Sequence, residues 1–172
     1  MAAENESKKP VEPEASRPWM PYYPPMQDAD QGKGLLPWQW ARERLEKSHN
    51  YMISTTRPGG SPHMVPVWGI WFDEKFYFST SRSSRKGRNL AANPNCVVCN
   101  EDLHEVVIVE GVAEELLDNA IPAPLYEAYP AKYPPWKLDP SLGPIFVVRP
   151  HVVFGFPERD FTEASTRWHF VG

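Results

Sequence analysis

The chain has 172 residues, 41% of them hydrophobic and 13% aromatic, which suits one domain with a real core. Its formal net charge of -4 gives no general attraction to nucleic acid or to a membrane surface, so any basic cluster is a local feature. No apolar run approaches the roughly 20 residues of a membrane span, Met1 to Pro10 is too polar for a secretory signal, and two cysteines are too few for a disulfide framework; the cytoplasm is the expected compartment.

In chain order, residues 1–35 read as a proline-rich tail or arm, and 36–172 as the folded unit. The run EPEASRPWMPYYPPMQ holds too many prolines for a regular helix or a central strand. Its aromatic residues, Trp19, Tyr22 and Tyr23, suit an arm that packs on something, and its prolines suit a disordered tail. A helix is expected to begin near Pro37, with Leu36, Trp40, Ala41 and Leu45 at helical spacing. Tyr51–Thr56 is the first strand and RPGGSP the hairpin turn after it. HMVPVWGIWF reads as the second strand and KFYFST as the third, joined at Asp73-Glu74. Ser83 or Ser84 caps a helix that Pro94 closes. Two more strands follow in NCVVCN and EVVIVEGVAEEL, with Gly111 as a bulge or bend. A short helix is expected near Leu125 to Tyr133. PIFVVRPHVVFGF is a strand or strand pair, and ASTRWHFV is the last strand. Strands joined mostly by short turns favour a closed antiparallel barrel.

Chemistry concentrates where the third strand gives way to the helix. Arg82, Arg85, Lys86 and Arg88 crowd one short stretch of an acidic protein. A helix start exposes unpaired N–H groups and the positive end of its dipole. Thr80, Ser81, Ser83 and Ser84 add hydroxyls, and arginine can grip a phosphate through two parallel hydrogen bonds. A phosphate cradle and a solvated basic face are both compatible with this pattern. It is neither a Walker loop nor a dinucleotide fingerprint.

The run FYFSTSRSSRKGRNLAANP, with WGIWFDEKFYFST before it and VEGVAEEL after it, resembles the pyridoxamine 5′-phosphate oxidase superfamily of FMN-binding split barrels. The resemblance covers about residues 36–117. It implies a mainly β, antiparallel split barrel with a few short helices. It also implies that Arg85 and Lys86 bind a flavin phosphate, that Ser79, Thr80 and Ser84 support it, and that the ring lies along Val65, Pro66, Val67 and Trp68. Family members that oxidise vitamin B6 carry an arginine and a lysine on this strand, where Met64 and Gly69 stand here, and a glutamine where Val106 stands. These departures point away from vitamin B6 oxidation and towards the coenzyme F420 (deazaflavin) reductase branch. Members of that branch end near Thr-Arg-Trp, as Thr166, Arg167 and Trp168 do here. The resemblance thus implies an oxidoreductase with FMN or coenzyme F420 at the interface of a homodimer, passing hydride to a small conjugated substrate. Arg167 and Trp168 would reach that cofactor from the partner subunit. The alternatives are a flavin carrier without catalysis, and a protein whose basic helix meets an acidic partner.

Cys96 and Cys99 lie three apart in an expected strand and so on opposite faces, which suits structural thiols. His63, His104, His151 and His169 have no metal-ligand spacing, so no metal site is expected. The aromatic residues of YEAYPAKYPPWK suit a substrate pocket or an apolar lid equally.

Overall fold

The structure, a computed structural model, describes residues 12–23 and 33–170. The tail reading for residues 1–11 and 24–32 lies outside them. Strand β1 (Glu14–Ser16) is followed by helix α1 (Trp38–Lys47). Then come β2 (Tyr51–Thr56), β3 (Pro62–Val67), β4 (Gly69–Phe72) and β5 (Lys75–Ser79). Helix α2 (Arg85–Ala92) leads to β6 (Asn95–Asn100) and β7 (Glu105–Glu115). Helix α3 (Leu125–Lys132), β8 (Ile145–Pro157), α4 (Phe161–Ala164) and β9 (Thr166–His169) complete the described chain.

The strands form one antiparallel sheet in the order β1-β9-β8-β7-β6-β2-β3, and β5 branches from β8 to carry β4. The fold is the expected mainly β, antiparallel split barrel. It departs from full closure, since β1, β3 and β4 each have a single neighbour among the described residues. The expected second strand is two strands, because the chain changes partner at Trp68: β3 pairs with β2, whereas β4 pairs with β5. Among the described residues β3 has no second neighbour. Prolines explain this edge. Pro62 and Pro66 share parity and have no N–H, so a regular ladder to β2 runs through His63, Val65 and Val67.

Turn chemistry follows the residues. Asp73 and Glu74 both take positive φ, 48° and 56°, as a two-residue turn of primed type requires. The Glu74 carboxylate accepts from the Trp38 indole N–H at 2.9 Å, which ties this turn to α1. The arm contributes a strand after all. β1 adds to β9, and Arg17 is buried with its guanidinium donating to the Glu163 carbonyl at 2.7 Å. An edge strand of three residues is what such a proline-rich stretch permits. Of the expected apolar set, helix α1 buries Ala41 and Leu45 and adds Trp38, while Leu36 and Trp40 pack half-buried against the core, Trp40 under the Arg44 guanidinium, 3.8 Å from its ring.

Two apolar clusters form. The barrel interior holds Tyr51, Phe76, Phe78, Val98, Val153 and Trp168. The second lies beneath the 118–142 segment and joins Ile70, Tyr77, Leu125, Tyr133 and Val147. Strand β8 sits between them, so Ile145 to Val148 is continuously buried, while its later half alternates. The expected strand or strand pair is thus one strand, with the register shift opposite Gly111.

Helix α3 docks by polar contacts as well. The Lys132 amine donates to the Tyr51 hydroxyl at 2.9 Å and to the Gly69 carbonyl at 3.1 Å. Burial pushes the Lys132 pKa down to about 8.

Two predictions follow from this packing. Trp168 has 0% exposure, so Trp168→Ala is expected to cost about 3–5 kcal/mol in urea denaturation, and a loss below about 1 kcal/mol would contradict the assigned core. The second concerns pH. The folded protein holds the Lys132 proton less tightly than the unfolded chain, so a penalty is fully present below the folded pKa. It lifts as pH rises from about 8 towards the ordinary 10.5. Wild type should therefore gain stability relative to Lys132→Met across that window; a difference that stays flat with pH would show that the amine is not buried.

Candidate functional site

The turn from Thr80 to Ser84 joins β5 to α2, and its hydroxyls bond to one another. Thr80 Oγ1 and Ser84 Oγ lie 3.0 Å apart, and Ser81 Oγ and Ser83 Oγ 2.8 Å. Ser84 caps the helix, its hydroxyl accepting from the Gly87 N–H at 3.0 Å. The amides of Arg85 and Lys86, the first two of the helix, have no intrahelical acceptor. Gly87 presses against the turn without a side chain, since a Cβ there would come 2.4 Å from the Ser81 carbonyl oxygen. Asn89, 1% exposed, donates to Thr55 Oγ1 at 2.9 Å and pins α2 to β2.

The four cations are held differently. Arg82 is bound to Glu115 and Arg88 to the Ser83 carbonyl. Arg85 and Lys86 pair with no carboxylate among the described residues. Arg85 is exposed. Lys86 is half-buried, and burial lowers its pKa. A cation that is partly desolvated and unpartnered is short of an anion. These residues therefore fit a phosphate. Beside the turn lies a hollow of about 380 Å³ bordered by Ser81, Ser83, Asp118, Ser141 and Leu142. Ser79 bonds away from the turn, donating to the Pro144 carbonyl at 3.3 Å.

The expected ring strand is β3 with Trp68. Val65 and Val67 point into the barrel and Pro66 outward, and Trp68 is 41% exposed. On the outer face of the sheet, one row crosses the strands. It runs Pro66, Met52, Cys99, Ile108, Phe154 and Arg167 by register. The four middle side chains of this row are apolar and only half-buried. On the same face a hollow of about 390 Å³ is lined by Ser54, Thr56, Asn95, Val97, Glu110 and His151.

Arg167 lies on that face, its Nε donating to Ser16 Oγ at 3.1 Å. Four strands separate it from β3. Trp168 is different. Its ring lies 5.5 Å from that of Trp38 inside the barrel, and it has no accessible surface to offer a cofactor from either subunit. Alternation along β9 sets this: with Arg167 outward, Trp168 must face in. Cys96 is buried and Cys99 half-buried on opposite faces, and burial raises both thiols. No group of three potential metal ligands occurs among the described residues. No helix among them is long and apolar enough to cross a membrane.

Sequence reading missed the polar network under Trp68. The Tyr133 hydroxyl accepts from the Gly69 N–H at 3.0 Å and lies 2.7 Å from the His49 carbonyl. Tyr133 also stacks on Trp68, with centroids 5.0 Å apart and planes 10° from parallel. Nothing in local spacing links residues 49, 51, 69 and 132, which the fold alone brings together.

Comparison with known proteins agrees with this architecture. The chain matches a pyridoxine/pyridoxamine 5′-phosphate oxidase of Alkalilimnicola ehrlichii at 41% identity over 63 residues, 35% of this chain and 32% of that protein's length. It thus spans about a third of that curated relative. Among solved structures, an F420 reductase superposes with a TM-score of 0.52 and 25% identity, over 65% of this chain and 94% of its own. An FAD-binding protein from Mesorhizobium loti gives 0.54 at 18% identity, over 77% and 94%; that likeness concerns the fold. The profile of the pyridoxamine 5′-phosphate oxidase family matches residues 38–154. With more than half its length covered by that profile, the chain belongs to the pyridoxamine 5′-phosphate oxidase family.

Proposed function

We propose that this protein is an oxidoreductase that binds FMN or coenzyme F420 as a homodimer and passes hydride to a small conjugated acceptor. The observation that carries the reading is the pair Arg85 and Lys86. They are unpaired cations on the first turn of a capped helix, beside a hydroxyl-rich turn. Their side chains and the two free amides would hold the cofactor phosphate, with Thr80 and Ser84 fixing the loop. Ser79 supports the loop rather than the phosphate, since its hydroxyl is committed to Pro144. The ring would lie along Val65, Pro66, Val67 and Trp68, where the ladder leaves one strand edge open. When bound, such a ring supplies the hydride chemistry; the chain supplies binding, orientation and exclusion of water.

Two features support a dimer. The half-buried apolar row on the outer sheet face needs a partner more than solvent. And Arg167, four strands from β3, joins a cofactor held there only from a second copy. The ring strand carries no titratable side chain at Met64 or Gly69, so the alternative of a non-catalytic carrier stays in the test.

Absorbance titration with FMN and with the deazaflavin, followed by a turnover assay across conjugated acceptors, tests this reading. Arg85→Ala and Lys86→Ala should each weaken binding by about 10-fold or more while leaving the fold intact, on the loss of one charge-assisted hydrogen bond each. Wild-type affinity in both variants would remove the assigned phosphate site. Tight binding without turnover would favour the carrier.

A further inference from the structure

Gly69 is gripped from two sides. On one, β5 leaves it no room for a side chain: a Cβ would stand 2.2 Å from the Phe76 ring and 2.7 Å from the Tyr77 carbonyl oxygen. On the other, α3 and the residue after it hold both of its backbone groups. Its N–H donates to the Tyr133 hydroxyl at 3.0 Å. That hydroxyl lies 2.7 Å from the His49 carbonyl and 2.9 Å from the Gly69 carbonyl, and has one proton to give. The Lys132 amine, 3.1 Å from the Gly69 carbonyl, serves it when the phenol turns to His49. The backbone where the chain changes partner is therefore satisfied by side chains from a segment more than sixty residues downstream, in place of a strand.

The same phenol ring fixes the neighbouring side chain. Tyr133 is 2% exposed and covers one face of the Trp68 indole at near-parallel stacking distance. The Trp136 ring stands at its border, 6.2 Å away and tilted by 55°. The rest of Trp68 is open, at 41% exposure. Since Tyr133 holds both the Gly69 amide and the Trp68 ring, α3 sets the angle at which that indole leaves the end of β3.

We infer that Lys132 and Tyr133 are positioning residues that lock Trp68 as a flat, half-open platform for a planar conjugated ring. The inference rests on the flavin reading above and adds to it: the contact at the end of β3 is a stack on an indole as well as a backbone edge. The Lys132 ammonium, 3.1 Å from the Gly69 carbonyl, has no carboxylate partner among the described residues. It faces the Tyr51 and Tyr133 rings at 4.8 and 5.5 Å, and Glu101 is the acid that acts on it through space. A reduced, more anionic ring on this platform gains over an oxidised one.

The test uses Tyr133→Phe, Lys132→Met and Lys132→Arg in the full chain. In cofactor-free protein, the near-ultraviolet circular dichroism assigned to Trp68 by comparison with Trp68→Phe reports the stack. With FMN, affinity and the reduction potential of the bound ring report the platform. Tyr133→Phe and Lys132→Met should lose the Trp68 signal and weaken FMN by about tenfold, the worth of one buried hydrogen bond to a fixed group. Lys132→Met should also lower the bound potential, and Lys132→Arg should restore it. Variants that fold and bind FMN with wild-type affinity and potential would overturn the inference while leaving the flavin reading intact. If wild type binds neither FMN nor the deazaflavin, the flavin reading falls. The circular dichroism then decides alone: loss of the Trp68 signal in both variants upholds the clamp, and its retention ends it.

Discussion

Much of the site depends on how closely α2 approaches the turn before it. Gly87 has no side chain, and a Cβ there would come 2.4 Å from the Ser81 carbonyl oxygen. That approach aims the first turn of the helix at the end of β5. The Ser84 cap and the Thr80 contact hold it in place. Asn89, buried one turn later, anchors the helix to β2 through Thr55. Arg82 is neutralised by Glu115 and Arg88 is tied to the Ser83 carbonyl, while Arg85 and Lys86 have no such partner among the described residues.

The second constraint is the interrupted strand. The chain changes partner at Trp68, and prolines at 62 and 66 keep the β3 edge without donors at those positions. An exposed edge is ordinarily an aggregation hazard that a protein must cover. Here the prolines blunt it, and a bound ring and a second copy would cover the rest. The cradle at α2 and the edge of β3 both lie against β2, α2 through Asn89 and β3 through its ladder. A phosphate and the ring attached to it call for adjoining sites of this kind.

The order of elements was legible because each carries its own punctuation. Gly60 and the RPGGSP turn, Asp73-Glu74, the Ser84 cap and Pro94 each mark a boundary that the fold respects. The basic cluster was legible as a cluster, since four cations in an acidic chain stand out. Which two of them are free was not, because Glu115 is a strand away in space but 33 residues away in sequence. Trp168 was misjudged for a related reason. An indole next to an arginine on a last strand looks available until alternation turns it into the barrel. The Lys132 amine could not be foreseen at all. The fold delivers it to the Gly69 carbonyl from α3, 63 residues away in sequence.

Phosphate recognition at α2 is the central claim, and comparing FMN with riboflavin isolates it. The two ligands share a ring and differ in the phosphate. Equilibrium titration of the purified protein with both should show riboflavin weaker by about 100-fold or more, the worth of two charge-assisted contacts. Equal affinity for the two would contradict a cradle built on Arg85, Lys86 and the capped turn.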